Sequence, residues 1–153
     1  MTQYVVLSWQ DLGAAAAARI AKLRRDPVGD GQWRLAVERP GMLVFVSRER
    51  SLSVEGLAGR GVVIGDVFSV GGSNYANPGG LACQGLSEEA ICRLLATTCW
   101  GRYVAVLRHP DAQGLTAFRD PMGALECLTW STRGVDIVAS CLPDWLLSEF
   151  APP

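Results

Sequence analysis

The chain has 153 residues, with an apolar share of 49%, a charged share of 19% and a formal net charge of −1. Length and composition describe one ordinary folded domain, able to bury a real core, and exclude a disordered or collagen-like chain. Basic and acidic residues are interspersed, which leaves no stripe for nucleic acid or an anionic membrane surface, and no apolar run approaches a membrane span.

In chain order, the amino terminus lacks a basic n-region and a signal-type apolar core, so a cytoplasmic protein is expected. Tyr4 to Trp9 reads as a strand. Asp11 is placed to cap a helix from Leu12 to Arg25, whose alanines are strong helix formers and whose Arg19, Lys22, Arg24 and Arg25 suit its carboxyl end; Asp26-Pro27 ends it. Gln32 to Glu38 and Met42 to Ser47 read as strands joined by the turn Arg39-Pro40-Gly41. Ser51 to Leu57 is a weaker strand. Gly61 to Phe68 is a nearly continuous apolar run, expected as a central strand covered on both faces. Residues 71–80, GGSNYANPGG, read as a long loop; no Gly-Lys-Ser/Thr follows, so it is not a phosphate loop of the Walker type. Ser87 is placed to cap a helix from Glu88 to Thr98, with Glu88 and Glu89 where the helix dipole favours them and Ala90, Ile91, Leu94, Leu95 and Thr98 as an inward stripe.

From Trp100 the chain reads as an antiparallel meander. Tyr103, Ala105 and Leu107 alternate with their neighbours along one strand. His109 to Gly114 forms a turn, Leu115 to Phe118 returns, Arg119-Asp120-Pro121-Met122-Gly123 makes a second turn, and Leu125 to Trp130 is a third strand. His109, the one histidine, sits beside Pro110 and reads as a solvated turn residue. Thr132-Arg133-Gly134 is a hairpin turn into a last strand, Val135 to Ser140. Pro143 to Glu149 is a short helix, and residues 151–153 read as the start of a linker. The five cysteines, Cys83, Cys92, Cys99, Cys127 and Cys141, are odd in number and show no CxxC spacing, which points to reduced, mostly buried thiols and to no metal site.

Three segments together carry a resemblance. Gly101-Arg102-Tyr103-Val104-Ala105-Val106-Leu107, a variable turn, then Arg119-Asp120-Pro121-Met122-Gly123 before an aromatic strand, is similar to a pattern in the amino-terminal, glutamine-amidotransferase-like domain of the asparagine synthetase family. Ile64-Gly65-Asp66-Val67-Phe68-Ser69 resembles that family's Asn-Gly-Glu-Ile-Tyr-Asn. Ile137 to Leu147 resembles its Phe-Ala-Ser-Glu-Ile-Lys-Ala-Leu-Leu. The family includes the lasso-peptide macrolactam cyclases and the β-lactam synthetases. The resemblance implies an α+β fold of the N-terminal-nucleophile hydrolase type: a sandwich of two antiparallel β-sheets flanked by helices, spanning residues 1–150.

It also implies a glutamine site whose parts are replaced here. The family places a cysteine after the initiator methionine; here Thr2 stands there. The oxyanion-donating asparagine corresponds to Ile64, and losing one such donor costs about 10²–10³ in rate. Gly65 keeps its place, Asp66 shortens a glutamate, and Gly85-Leu86-Ser87 stands for a Gly-Ser-Asp that would hold the substrate's ammonium. A threonine can itself be an N-terminal nucleophile, but Thr2 would need removal of Met1 and an oxyanion hole that Ile64 does not supply. The expectation is therefore a non-catalytic domain that scaffolds the synthetase half of an ATP-dependent amide ligase. A lasso-peptide cyclase fits best, because it uses a substrate amine and needs no ammonia. ATP and magnesium belong to the synthetase half; the partners expected are that half, a precursor peptide and its protease. Arg119, Asp120, Pro121 and Gly123 are expected to form a structural turn. The alternatives are a small amidohydrolase acting through Thr2 and a free-standing module that binds a peptide along a strand edge. A last expectation is that Trp145, Leu146, Leu147 and Phe150 present an apolar face to a partner.

Overall fold

The computed structural model describes residues 3–50, 52–57, 59–70, 83, 85–108 and 114–153, and among these it contains nine strands and three helices. Thr2, His109 and the 71–80 loop lie outside the described residues. The fold is α+β with two antiparallel sheets, one of five strands and one of four. The chain divides into two compact units, Met1–Ser51 with Cys127–Pro153, and Leu52–Glu126.

The first unit is built on β1 (Tyr4–Ser8), buried along its whole length. It lies between β3 (Met42–Ser47) and β9 (Val135–Ala139), in the order β2-β3-β1-β9-β8, where β2 is Trp33–Arg39 and β8 is Leu128–Thr132. Val5, Leu7, Leu43, Phe45, Ile137 and Ala139 project to one face of this sheet, the period-2 consequence of strand geometry. That face is covered by Ile20 and Leu23 of α1 (Ala14–Arg25) and by Leu146 and Phe150 of α3 (Asp144–Phe150). The alternate residues Tyr4, Val6, Val44, Val46 and Val138 are buried as well, so both faces of the central strands are dry.

In the second unit the order is β4 (Val54–Gly56), β5 (Gly61–Ser69), β6 (Cys99–Arg108), β7 (Leu115–Arg119). α2 (Glu88–Thr98) lays Ile91 and Leu95 on Val63, Val67, Tyr103, Ala105 and Leu107. As expected for its apolar run, β5 is internal to its sheet and buried on both faces from Gly61 to Ile64. Ser87 caps α2, its Oγ accepting from the Ala90 N–H at 3.1 Å.

Five expectations are corrected. Asp11 does not cap α1: the N-cap is Gly13, which makes no side-chain cap bond, and Asp11 lies two residues too early to reach the first turn. The strand around Val54 is three residues long, not seven. Thr98 is exposed and Ala90 and Leu94 are half-buried, while Glu88 turns inward, so the buried stripe of α2 is Glu88, Ile91 and Leu95. The meander stops at its second strand. Residues 120–127 carry the chain out of the four-stranded sheet, and Leu128–Thr132 joins the other sheet beside β9, favoured by a two-residue hairpin turn at Arg133 (φ 54) and Gly134 (φ 77). Last, the apolar residues of α3 do not form a free face. Leu146 and Phe150 are fully buried and half-buried Trp145 packs on Trp33 and Phe45 at 5.5 and 5.2 Å, so this helix docks on its own unit.

Candidate functional site

Ile64, Gly65 and Asp66 sit in the middle of β5, opposite Val104, Tyr103 and Arg102 of β6. The alternation of the strand decides their surroundings. Ile64 is fully buried and offers no polar group. The Gly65 N–H donates to the Ser53 carbonyl at 2.9 Å, so it is already engaged. Gly65 has φ +115, and a Cβ there would lie 2.1 Å from the Arg102 carbonyl oxygen. The close approach of β5 and β6 thus requires glycine at this point. Asp66 is half-exposed and its carboxylate lies 3.8 Å from the Arg102 guanidinium, a long ion pair in which both side chains keep more than 40% of their exposure. Such a pair contributes little to stability.

Leu86 is half-buried just ahead of α2, and its backbone is what the structure uses. Its N–H donates to the Cys83 carbonyl at 3.1 Å, and its carbonyl accepts from Arg60 Nη1 at 2.6 Å. Arg60 also donates from Nη2 to Glu88 Oε1 at 3.2 Å. Both side chains are nearly buried, at 14% and 11% exposure, so this is a desolvated, charge-assisted contact that pins the start of α2 to the turn between β4 and β5. The sequence reading assigned Glu88 only to the helix dipole and did not single out Arg60. The two are 28 positions apart, and no local pattern links them.

Around Arg119 to Gly123 the chain closes on itself. Asp120 is 2% exposed. Its Oδ1 accepts from the Met122 N–H at 3.0 Å, its Oδ2 from the Ala124 N–H at 3.2 Å, and its own N–H donates to the Tyr103 carbonyl. Arg119 donates to the Gly123 carbonyl, and Gly123 takes φ +61. Pro121 and Met122 are exposed at the tip. The carboxylate is therefore spent on two N–H groups of its own turn, while the Asp120 backbone N–H ties the start of that turn to β6.

Three further features were not read from the sequence. The Tyr103 hydroxyl is buried beneath α2 with no hydrogen-bond partner among the described residues, and burial first, then the negative character of Cys99, Asp120 and Cys92, pushes its pKa up to about 12. Phe68 and Trp100 stack at the far end of the β5–β6 pair, centroids 4.6 Å apart, with Trp100 Nε1 donating to the Ser69 carbonyl and the indole half in solvent. In the first unit a cleft of about 140 Å³ lies between the end of α1 and α3, lined by Lys22, Leu23, Val28, Gly29, Trp145 and Glu149. The site expected from the sequence is not gathered there. Ile64, Gly65, Asp66 and Leu86 all belong to the second unit.

Among the described residues no group of three or more histidine, cysteine, aspartate or glutamate side chains is arranged to hold a metal ion, and no helix is long and apolar enough to cross a membrane. No protein-family model, curated protein or solved structure matches this chain.

Proposed function

We propose that this chain is a degenerate glutamine-amidotransferase-like domain of an asparagine-synthetase-like, ATP-dependent amide ligase, and that the ligase is a lasso-peptide cyclase closing a macrolactam in the cytoplasm. Its fold would be of the N-terminal-nucleophile hydrolase type, a class built from two antiparallel sheets with helices outside. The α+β composition and the two antiparallel sheets support that assignment.

The observation that carries the reading is a register. The segment from Ile64 to Ser69 and the segment from Gly101 to Leu107 resemble the same family at separate places in the sequence, and they lie side by side as β5 and β6, with Gly65 opposite Tyr103. β6 is then followed by β7 and the closed Asp120 turn. A chance likeness of short segments carries no reason for them to be ladder neighbours.

In this reading the domain scaffolds the synthetase half and does not hydrolyse glutamine. Ile64 supplies no donor to an oxyanion, and the adjacent Gly65 N–H is taken by Ser53. The chemistry would lie in the synthetase half, where a Ser-Gly-Gly-x-Asp-Ser loop absent from this sequence would hold ATP and magnesium. The nucleophilic amine would come from the precursor peptide, delivered with its protease.

The test has two arms. The chain is assayed for ammonia release from glutamine, with none expected above a denatured blank; release that disappears in Thr2→Ala would replace this reading by the amidohydrolase. The synthetase half encoded with this chain, in the same or the neighbouring reading frame, is assayed with precursor peptide for ATP-dependent macrolactam formation. A locus without a Ser-Gly-Gly-x-Asp-Ser sequence, or no cyclised product, sinks the ligase assignment.

A further inference from the structure

We infer that the outer edge of β8 is a self-association edge, at which a second copy of this chain adds its own β8 antiparallel and continues the five-stranded sheet across a two-fold axis. The inference stands on the geometry of the first unit and does not depend on the ligase reading.

Each sheet ends in two edge strands: β2 and β8 in one, β4 and β7 in the other. An edge strand presents unpaired N–H and C=O groups, and monomeric proteins blunt it with charge, proline, a bulge or short length. β2 carries Arg34, Glu38 and Arg39 and shifts register between Leu35 and Val37. β4 has three residues. β7 is half-buried from Leu115 to Phe118 and closes on Arg119. β8, Leu128-Thr129-Trp130-Ser131-Thr132, has none of these devices: it is five residues long, uncharged, free of proline and in unbroken register with β9. Leu128, Thr129 and Ser131 are exposed.

The turn geometry decides which backbone groups face outward. Arg133 and Gly134, both at positive φ, form a two-residue turn of type I′, which makes Thr132 and Val135 the closing pair that exchanges hydrogen bonds. Antiparallel ladders alternate, so Trp130 and Leu128 direct their N–H and C=O to β9, and Thr129 and Ser131 direct theirs away from it. Among the described residues neither Thr129 nor Ser131 makes a backbone bond outside the β8–β9 ladder.

These two residues flank Trp130, so a second copy can pair with this edge on a two-fold axis there. An antiparallel copy placed on a two-fold axis at Trp130 pairs Thr129 with Ser131 of the second copy and Ser131 with Thr129 of the second copy, each pair exchanging two bonds. Trp130 then faces Trp130 of the second copy, and Leu128 faces Thr132 of the second copy. No charged side chain within the strand meets its like. Leu128, 39% exposed, and Trp130, packed at the rim of the first unit's core, would extend that core across the junction. A foreign strand would satisfy the backbone equally, but nothing in β8 selects one, whereas the strand is complementary to itself. An isologous junction of this kind is closed and does not propagate into fibres. One edge strand is a small interface, so the expected dissociation constant is micromolar, about 1–100 μM.

The experiment is sedimentation velocity with light scattering on the full chain across that range. Ser131→Pro removes one outward N–H while leaving every donor that β9 uses, and it demands an extended Trp130, which a strand supplies. Leu128→Lys places a charge at the rim without touching the ladder. The wild-type chain is expected to move from monomer to dimer, and both variants to stay monomeric at the highest concentration with unchanged circular dichroism. If Ser131→Pro fails to fold, Leu128→Lys alone decides. A wild-type chain that remains monomeric throughout overturns the inference. So does a dimer that both variants retain, and so does a monomer whose β8 edge instead captures an extended peptide.

Discussion

Asp120 is a buried carboxylate that holds a turn together, and its removal tests that role directly. Asp120→Ala leaves the Met122 and Ala124 N–H groups without their acceptor, so a loss of about 1–3 kcal/mol is expected in denaturant or thermal unfolding. An unchanged midpoint would show that the turn is held by other contacts. Tyr103 is the opposite case, because its hydroxyl is buried and makes no hydrogen bond among the described residues. Tyr103→Phe should change stability by no more than about 1 kcal/mol, in either direction. The same hydroxyl gives a pH signature. Its folded pKa, raised to about 12, exceeds the ordinary value of 10, so the neutral phenol is the form the fold prefers. The associated stability is complete below about pH 10 and is lost as pH rises from about 10 to about 12. An absorbance titration of tyrosinate in the native protein should show a late-titrating component that is missing in Tyr103→Phe.

At the scale of the element, α3 shows which interactions hold a terminal helix. Leu146 and Phe150 are fully buried beneath it, Trp130 Nε1 donates to the Phe150 carbonyl at 2.9 Å, and Glu149 reaches Arg19 at 2.7 Å and Lys22 at 3.5 Å on α1. The apolar contacts outweigh the ionic ones, because Arg19 and Lys22 remain a third and more than half exposed and their pairing is screened. Leu146→Ala should therefore cost about 2–5 kcal/mol, and Glu149→Ala no more than about 1 kcal/mol. Comparable losses from the two variants would reverse that ranking. α2 supplies a second measurement. Ser87 caps its N-terminus, so Ser87→Ala should cost about 1 kcal/mol, read as a lower thermal midpoint.

Over the whole molecule the cysteines make one consistent prediction. None of the five is paired in a disulfide, and Cys83 and Cys99 are buried. Burial raises the thiol pKa of Cys83, Cys92 and Cys141, opposed at Cys83 by the charge of Arg60 and reinforced at Cys92 by Glu88. These three are thus thiols, not thiolates, at neutral pH and are poor nucleophiles. A chromogenic disulfide reagent should find them slow in the native chain, and all five should react once it is unfolded. The thermal midpoint should be the same with and without reductant. Rapid native labelling of Cys83 would show that the buried end of the second unit opens easily.

The elements whose cause is local were legible in the sequence. Met42–Ser47 and Glu88–Thr98 coincide with their expected bounds, since an unbroken apolar run and a Ser87 cap act within a few residues. The Arg133-Gly134 turn was legible for the same reason, because positive φ is demanded at specific residues and supplied there. Where the chain goes after Asp120 was not. The segment ending at Trp130 reads both as a third meander strand and as the first half of a hairpin with β9; the local hairpin formed, and the pairing with β7 did not. The α3 face was misread because four apolar residues in sequence do not say whose core they fill; Trp33 and Phe45, about a hundred positions earlier, decide it. Arg60 meeting Glu88, and the spent N–H of Gly65, belong to the same class. Residue types and short-range spacing carry propensity, caps and turns, which depend on the nearest covalent neighbours. Which sheet a strand joins, and which polar groups are consumed, depend on residues brought together by burial, and those pairings were settled only by the tertiary structure.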